Sequence, residues 1–454
     1  MAKINIAYMM GGGATSVINL AILGIVDEAK KTGKIGKILG IWDGTEGLVY
    51  DSLFKAAVNL LEYDYKKIQD VSNTPGAALR SGRRIPSEND MKTIVKRLVD
   101  NNIDYVFYHG GNGTSLVLSN LMKYAKGTKL KCIHVPKTID NDLVGTYFSP
   151  GYGTTAKYVA LEAINLRYSF NSSPGIAVFV TMGRNAGWVA AASCAGGADL
   201  IYLPERPINI NKMCKQIIAK HIENLAKGIG TIVCVSEGLM NEKKEIYAEI
   251  ARTELSDVRL SDENIHTPRL SSAPLDFYLK EKIKQELFEL ENLKYFDTKV
   301  RATTLGYGQR ENIKAIAVAD REVAYGSGRA AVKYALTGKT NIMVGITKNE
   351  KHGTLINAVS HNELPCFIPS HITADIEYYE GMWDYLPIPL SEIADIKRNM
   401  VKERTLPDNF INKEGNNVTP EFFNDYLKDI IGQVPEMIEF TPKPSLMFRI
   451  KKTN

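Results

Sequence analysis

The sequence lacks a long hydrophobic run and a strong charge of one sign. No apolar run reaches the ~20 residues that span a bilayer. Residues 1–10 lead straight into glycines, without the apolar stretch and cleavage site of a signal peptide. The 56 basic and 51 acidic residues leave a net charge of +5 over 454 positions, which does not indicate a nucleic-acid-binding surface. We therefore expect a globular protein with no nucleic-acid partner and no membrane partner.

Cysteine is also scarce. The five cysteines, at positions 132, 194, 214, 234 and 366, form no Cys-x-x-Cys motif, and most of them lie in apolar runs. This pattern predicts reduced, buried thiols rather than a disulfide framework. Reduced thiols are typical of the cytosol, so we expect a cytoplasmic protein.

The chain does contain enough hydrophobic material for a large core, and its glycines cluster after apolar segments. Hydrophobic residues make up 44% of the sequence, and the length predicts two domains or one elaborated α/β unit. Residues 4–10 lead into Gly11-Gly12-Gly13, and residues 105–108 lead into His109-Gly110-Gly111-Asn112-Gly113-Thr114. A helical pattern follows each turn. One such turn is equally typical of a tight connection, but two of them favour a phosphate site, because backbone amides can approach an anion there.

A third apolar strand ends in a cluster of polar side chains. Pro136 ends the run 132–135 and is followed by Lys137-Thr138-Ile139-Asp140-Asn141-Asp142. Residues two apart in an extended segment share a face, so Asp140 and Asp142 can address one small volume while Asn141 points away. Ligands of parallel sheets bind at the carboxyl ends of the strands. We therefore expect this loop and the two glycine turns to converge.

Further charged groups follow other strands and loops. Residues 74–84 contain arginines 80, 83 and 84 among glycines, which favours phosphate contact. Met182-Gly183-Arg184 follows an apolar strand at 176–181, and Glu237-Gly238 follows another at 231–236. The charged helical pattern over residues 275–295 predicts an inserted surface helix.

In their order along the chain, these segments resemble the phosphofructokinase family from Gly11 to about Ile346. The run Thr138-Ile139-Asp140-Asn141-Asp142, followed by Met182-Gly183-Arg184, is highly specific. The resemblance implies an α/β fold with two doubly wound, Rossmann-like lobes. It implies a phosphoryl-donor-binding lobe at residues 1–150 and about 311–346, a sugar-phosphate-binding lobe at 151–310 with an inserted helical segment at about 241–298, and a carboxyl-terminal extension at 347–454.

The resemblance also implies roles for individual residues. Asp140 would be the base that takes the proton from the sugar 1-hydroxyl, assisted by Lys137 and Thr138, while Asp142 and Asn112 would hold Mg²⁺ at the phosphates of the donor. Phosphoryl transfer needs an oriented nucleophile and charge neutralisation, which such groups supply. The remaining donor-binding residues would be Gly11, Gly12, Arg83, Gly111, Gly113 and Thr114. The sugar phosphate would contact Thr138, Asp140, Met182, Gly183, Arg184, Glu237, Arg301, Tyr307 and Arg310, with one arginine from a neighbouring subunit.

Two markers of the phosphoryl donor disagree. Lys137, the turn at residues 11–13 and the Gly44-Thr45-Glu46-Gly47-Leu48 stretch resemble the pyrophosphate-using branch of the family. Gly113 instead resembles the ATP users, because an aspartate at this position crowds out the α-phosphate of a nucleotide. The resemblance favours pyrophosphate, since several separated features support it against one. Asn112 stands where most members carry a metal-associated aspartate, and Gly175 stands where many bacterial members carry a substrate-phosphate arginine.

The resulting hypothesis is a glycolytic phosphotransferase that converts fructose 6-phosphate to fructose 1,6-bisphosphate, reversibly if pyrophosphate is the donor. The alternatives are an ATP-dependent 6-phosphofructokinase and a non-catalytic regulatory subunit of the same fold, against which the intact Asp140 and Asp142 argue. A lipid or NAD kinase shares the turn at residues 110–114 but not the later motifs. The resemblance also implies a homodimer or homotetramer.

Overall fold

The computed structural model describes residues 3–82, 84–254, 274–289, 298–349, 354–356, 378–380 and 382–435. The chain divides into two compact units. The first unit comprises Met1–Thr155, Arg310–Arg404 and Ile430–Gly432. The second unit comprises Ala156–Gln309, Thr405–Asp429 and Gln433–Asn454. Within the described ranges, no helix combines the length and apolar character that a membrane crossing requires.

The strands of the described residues are mostly short and apolar. In chain order they are β1 (Ile4–Met10), β2 (Ile35–Ile41), β3 (Val58–Asn59), β4 (Tyr105–Gly110), β5 (Lys131–Pro136), β6 (Gly175–Thr181), β7 (Leu200–Tyr202), β8 (Thr231–Ser236), β9 (Lys299–Thr304), β10 (Ile342–Lys348), β11 (Thr354–Ile356), β12 (Tyr378–Glu380), β13 (Trp383–Pro389), β14 (Ala394–Asp395) and β15 (Met400–Val401).

The α-helices alternate with these strands. They are α1 (Leu20–Thr32), α2 (Glu46–Val49), α3 (Asp51–Lys55), α4 (Tyr65–Ser72), α5 (Glu88–Asp100), α6 (Asn112–Tyr124), α7 (Tyr152–Ser172), α8 (Trp188–Ala191), α9 (Ile210–Ala226), α10 (Tyr247–Glu254), α11 (Leu275–Glu289), α12 (Val318–Leu336), α13 (Leu390–Ile393) and α14 (Lys428–Ile431). A 3₁₀ turn at Gly306–Gln309 and a π-helical turn at Phe422–Leu427 complete the elements used below.

The first unit is built on a seven-stranded sheet in the order β13-β10-β5-β4-β1-β2-β3. β10, β5, β4, β1 and β2 run parallel, while the edge strands β13 and β3 run antiparallel to their neighbours. The central strands read as continuous apolar runs because helices cover both faces of the sheet. Their parallel direction brings the turns after β1, β4 and β5 to one edge of the sheet.

Helices α1 and α12 of the first unit pack so closely that glycine is required at their contact. A Cβ atom at Gly24 would collide with the Tyr325 carbonyl, and one at Gly328 would collide with the Ala21 carbonyl. The helix α5 on the same unit begins with a capping box, in which the Ser87 hydroxyl and the Asp90 carboxylate each accept a hydrogen bond from the other residue's backbone amide.

The second unit is built on a four-stranded sheet in the order β7-β8-β6-β9, and all three strand pairs are parallel. The α/β architecture with parallel central strands confirms the predicted fold class. The helix predicted at residues 275–295 is present as α11 (Leu275–Glu289), with one exposed and one buried face. Leu279 and Ile283 of α11 are buried in the core with strands of this sheet, because one apolar face of the helix must be covered.

The described residues between 382 and 432 contribute to both units. β13 adds an antiparallel strand to the first sheet, with Ile342 opposite Pro389 and Lys348 opposite Trp383. Residues 405–429 belong to the second unit, where Trp188 packs against Tyr426 with ring centroids 5.0 Å apart. The sequence pattern does not indicate β13 because proline is rare in strands. Pro387 and Pro389 are tolerated here because β13 is an edge strand.

Candidate active site

The turns after β1, β4 and β5 are joined by backbone hydrogen bonds. The Gly11 amide donates to the His109 carbonyl at 2.9 Å, and the Lys137 amide donates to the Gly110 carbonyl at 2.9 Å. The arginine-containing loop reaches the same turn, since the Gly12 amide donates to Gly82 at 3.2 Å. The three segments that sequence reasoning expected to converge therefore lie side by side at one sheet edge.

Lys137 is a buried cation that contacts the first glycine turn. Its side chain is 2% exposed, and its ammonium group donates to the Gly13 carbonyl at 2.5 Å. Arg310 lies against the same turn, since a Cβ atom at Gly13 would collide with the Arg310 guanidinium. Glycine therefore lets two positive charges approach a backbone whose amides can also bind an anion.

Asp140 is held by the residues around it in the turn. Its backbone amide donates to the Thr138 hydroxyl at 3.1 Å, and that hydroxyl lies 3.4 Å from the Asp140 carboxylate. Desolvation raises the pKa of Asp140, while the charges of Lys137 and Arg310 and the Thr138 hydroxyl oppose this rise. A partly desolvated carboxylate beside two cations is suited to accept a proton from a bound hydroxyl group.

The backbone of this turn is fixed from outside. Asn141 has a φ of 56° and is fully buried, and its side-chain oxygen accepts the Ser149 amide at 2.9 Å. The Thr138 amide donates to Pro150 at 3.1 Å. Asn141 therefore anchors the turn, and Asp140 and Asp142 on either side of it remain available for chemistry.

Asp142 is the more deeply buried carboxylate. It is 9% exposed, and its Oδ1 atom has no hydrogen-bond partner in the described part of the chain. Burial raises the pKa of Asp142 well above its ordinary value, and the negative charges of Asp140 and Glu403 add to this effect. The side chain of Asn112 has the opposite effect and lowers the pKa of Asp142, because it stabilises the charged carboxylate. A bound cation would also offset the burial and the negative charges and favour the charged carboxylate.

The residues at Asp142 fit a magnesium ion. The Oδ1 and Nδ2 atoms of Asn112 are also buried without a partner of standard geometry among the described residues. Mg²⁺ prefers oxygen ligands and is usually held by one or two carboxylates together with water and substrate phosphates. The described residues contain no group of three or more His, Cys, Asp or Glu side chains that could hold a metal ion alone. Asp142 with Asn112 could therefore supply the protein side of such a site.

The second glycine turn leaves room for a phosphoryl donor. The helix α6 begins at Asn112, and the Thr114 amide donates to the Gly111 carbonyl at 3.0 Å. Gly113 is exposed, and a Cβ atom there would have no heavy atom within 4 Å in the structure. The free amides of a helix start attract anions.

Two of the three arginines in the loop at residues 74–84, which were expected to contact phosphate, are paired with carboxylates of the protein. Arg80 and Arg84 form ion pairs with carboxylates, at 2.5 Å to Asp43 and 2.7 Å to Asp90. These two side chains are therefore held by protein partners. Arg83 lies outside the described residues.

Four of the expected sugar-phosphate residues come together in the second unit. Met182, Gly183 and Arg184 follow β6, and Glu237 follows the neighbouring strand β8. The Glu237 amide donates to the Thr181 carbonyl at 2.9 Å, and the Ser236 hydroxyl donates to the Gly183 carbonyl at 2.5 Å. Gly183 has a φ of 125°, which only glycine adopts readily. The two motifs therefore form one polar surface at the ends of adjacent parallel strands.

The remaining sugar-phosphate residues lie apart from these four along the chain. Arg301 is exposed on the edge strand β9, and Tyr307 is 56% exposed. Arg310, which the resemblance grouped with them, belongs to the first unit and lies beside Gly13.

Sequence reasoning missed two residues that support these turns. Gln309 is fully buried, and its side-chain oxygen accepts the Met182 amide at 2.8 Å. Asp320 accepts the amides of Gly151 at 2.7 Å and Thr154 at 3.0 Å, and so caps the start of α7 from a distant helix. Gln309 stands next to Arg310, which was a usable signal. Asp320 follows no local motif, because its partners lie more than 160 residues away.

Comparison with known proteins places the chain in a family. The phosphofructokinase family model matches residues 5–335. The chain belongs to the phosphofructokinase family. It is 31% identical over 448 residues to the pyrophosphate–fructose 6-phosphate 1-phosphotransferase of Rhodospirillum rubrum, with 95% of each chain covered.

Two further similarities extend this result. The chain is 31% identical over 360 residues to the sulfofructose kinase of Alkalicoccus urumqiensis, with 76% of this chain and 84% of that protein covered. The crystal structure of a pyrophosphate-dependent phosphofructokinase from Marinobacter aquaeolei has the same fold, with a TM-score of 0.71 and 24% identity over 97% of this chain and 95% of that chain.

Proposed function

We propose that this member of the phosphofructokinase family transfers a phosphoryl group from pyrophosphate to the 1-hydroxyl of fructose 6-phosphate. The observation that carries the proposal is the convergence of Lys137, Asp140 and Asp142 with the two glycine turns at one sheet edge. This arrangement combines a base, a cation site and backbone amides for a phosphate, which are the groups that phosphoryl transfer requires. Fructose 1,6-bisphosphate and orthophosphate would be the products, and glycolysis is the pathway in which we place the reaction.

Pyrophosphate is the favoured donor for two reasons. The R. rubrum relative, whose name specifies pyrophosphate, aligns with 95% of the chain. Lys137 is also placed against the first glycine turn through its bond to Gly13, where a compact ammonium can neutralise a small polyphosphate.

In the proposed mechanism, the oxygen of the sugar 1-hydroxyl attacks a phosphorus atom of pyrophosphate, and orthophosphate leaves. Asp140 accepts the proton of the hydroxyl group. Thr138 keeps the Asp140 carboxylate oriented, and Lys137 and Arg310 offset negative charge near it. Asp142 and Asn112 would hold Mg²⁺, which neutralises charge on the phosphates when it is bound. On the second unit, Arg184 and Glu237 would contact the sugar phosphate.

The test is formation of fructose 1,6-bisphosphate from fructose 6-phosphate and MgCl₂, with pyrophosphate or ATP supplied in parallel. We expect turnover with pyrophosphate that falls by about 10²–10⁴ in the Asp140→Asn variant, the contribution typical of a general base. Asn is close to Asp in volume, so folding should be retained. Turnover that survives this substitution would remove Asp140 from the mechanism, and silence of the wild-type protein with both donors would favour a non-catalytic subunit.

Two alternatives rest on particular observations. ATP is a candidate donor because Gly113 leaves open space in place of a carboxylate. A ketose that carries a sulfonate in place of the 6-phosphate is a candidate acceptor because the A. urumqiensis relative is named a sulfofructose kinase, and because Gly175 leaves no arginine at the start of β6. A substrate panel with both donors and both acceptors distinguishes these possibilities.

A further inference from the structure

Two histidines lie buried directly behind the proposed donor site, and the mechanism above uses neither of them. His109 is 1% exposed and His134 is 0% exposed. They belong to the adjacent strands β4 and β5, where His134 pairs in register with Tyr108. A buried imidazole requires a partner for each ring nitrogen. The partners therefore show which parts of the molecule each histidine holds together.

His134 joins the end of β4 to the first turn of α6. Its Nε2 atom lies 2.7 Å from the Gly110 carbonyl, and its Nδ1 atom lies 2.7 Å from the Ser115 hydroxyl. Because a carbonyl can only accept, Nε2 carries the hydrogen, and in the neutral ring Nδ1 accepts from Ser115. The Gly110 carbonyl also accepts the Lys137 amide at 2.9 Å. His134 therefore holds both ends of the turn at residues 111–114.

His109 joins three strands at the same level. Its Nδ1 atom lies 2.7 Å from the hydroxyl of Tyr8 on β1, and the Pro136 backbone of β5 lies close enough to the ring to favour its protonated form. Its own carbonyl accepts the Gly11 amide at 2.9 Å. The side chain and backbone of His109 thus connect the strand that precedes the first glycine turn with the strand that precedes Lys137.

Both rings are neutral under ordinary conditions. Burial lowers the pKa of His134 to about 4, and it lowers the pKa of His109 well below the ordinary value, with the charge of Lys137 acting in the same direction. The hydrogen-bond directions above are those of neutral rings. Neither histidine therefore adds a positive charge to those of Lys137 and Arg310 in this region.

We propose that His109 and His134 are positioning residues of the donor site, which act by fixing the glycine turn after β1, the turn at residues 111–114 and the backbone of Lys137. The proposal rests on the proposed donor site at these turns. It predicts that loss of either imidazole impairs binding of the phosphoryl donor much more than binding of the sugar phosphate, because the second unit contains the Met182 and Glu237 motifs.

The chain offers a matched control in the second unit. His221 is 1% exposed, its Nδ1 atom lies 3.0 Å from the Thr231 hydroxyl, and burial lowers its pKa to about 4. It resembles His134 in burial and charge but contacts neither turn. The His221→Ala variant therefore measures the general cost of losing a buried histidine.

The experiment compares KM for pyrophosphate, KM for fructose 6-phosphate and kcat in full-length variants. We expect His134→Ala and Ser115→Ala to raise KM for pyrophosphate by about tenfold, as small displacements of substrate-positioning groups do, with KM for fructose 6-phosphate within about twofold. His134→Gln retains a donor near the position of Nε2, so it should recover part of the loss. His221→Ala should leave both KM values unchanged.

Calorimetric titration with inorganic pyrophosphate and MgCl₂ separates failure of this proposal from failure of the proposed function. If Ser115→Ala and His134→Ala bind pyrophosphate as tightly as the wild-type protein does, the histidines do not have the proposed role. The same holds if His221→Ala weakens pyrophosphate binding as much as they do. If the wild-type protein binds ATP instead, the same comparison with ATP decides, since either donor presents phosphates to the turns. Binding of neither donor would remove both proposals. Should His134→Ala not fold, Ser115→Ala and Tyr8→Phe give the answer, because each removes only a hydroxyl.

Discussion

The burial of Asp142 predicts that a conservative substitution there stabilises the ligand-free protein while it abolishes function. The carboxylate is 9% exposed, and burial together with the charges of Asp140 and Glu403 opposes its ionisation in the folded protein. Its Oδ1 atom has no hydrogen-bond partner among the described residues. An unsatisfied buried polar atom costs about 1–3 kcal/mol. Asp142→Asn keeps the shape and replaces an acid that ionises against desolvation and like charge with a neutral amide, so the free energy of unfolding at pH 8 should rise by about 1 kcal/mol or more.

The pH dependence gives the sign of this effect. The pKa of Asp142 is raised in the folded protein, so its contribution to stability is complete below the unfolded pKa of about 3.9 and is lost as the pH rises through the folded value. The advantage of Asp142→Asn should therefore be large at pH 8 and shrink towards pH 4.

Chemical denaturation of the ligand-free wild-type and variant proteins at pH 4, 6 and 8 measures the difference. Addition of MgCl₂ with pyrophosphate should stabilise the wild-type protein and have little effect on Asp142→Asn, because the cation site is then missing. A variant less stable than the wild type at pH 8, or an advantage that does not depend on pH, would refute the electrostatic reasoning.

Three further predictions concern the same unit. Burial raises the pKa of Asp320 to about 6, so the stability that this group contributes is lost as the pH rises towards 6. Asp320→Asn should therefore flatten the dependence of the free energy of unfolding on pH in this range. Asp320→Ala should destabilise the protein by about 1–3 kcal/mol, because it leaves the Gly151 amide unpaired. Gly113→Asp adds a carboxylate in open space, so steady-state kinetics should show a loss of any ATP-dependent activity with little change in the pyrophosphate reaction; equal loss of both would refute the steric argument. Gly13→Ala must displace the Arg310 guanidinium, so kcat/KM should fall by about tenfold or more with a normal melting temperature, and unchanged kinetics would show that this contact is dispensable.

Local patterns were sufficient for the parts of the site that depend on neighbouring residues. The strand from 4 to 10 and the one from 231 to 236 have the predicted bounds, because apolar runs ended by glycine or a charged residue have few alternatives. The convergence of the turns was also predictable, since parallel strands bring their carboxyl ends to one edge.

Contacts between distant segments could not be predicted in this way. Asp320 caps a helix that begins more than 160 residues earlier, and no spacing rule connects the two. β13 was concealed by its prolines, and β9 was concealed by its polar composition, because an edge strand needs few apolar side chains. The positions of Arg310 and of the two buried histidines depend on tertiary packing for the same reason.

The most direct test of the proposed donor is the reverse reaction. Purified protein would be incubated with fructose 1,6-bisphosphate, orthophosphate and MgCl₂, and the release of fructose 6-phosphate and pyrophosphate would be followed. We predict turnover that requires orthophosphate and does not require ADP. Turnover that occurs only when ADP replaces orthophosphate would contradict the proposal and would identify ATP as the donor that the open space at Gly113 admits.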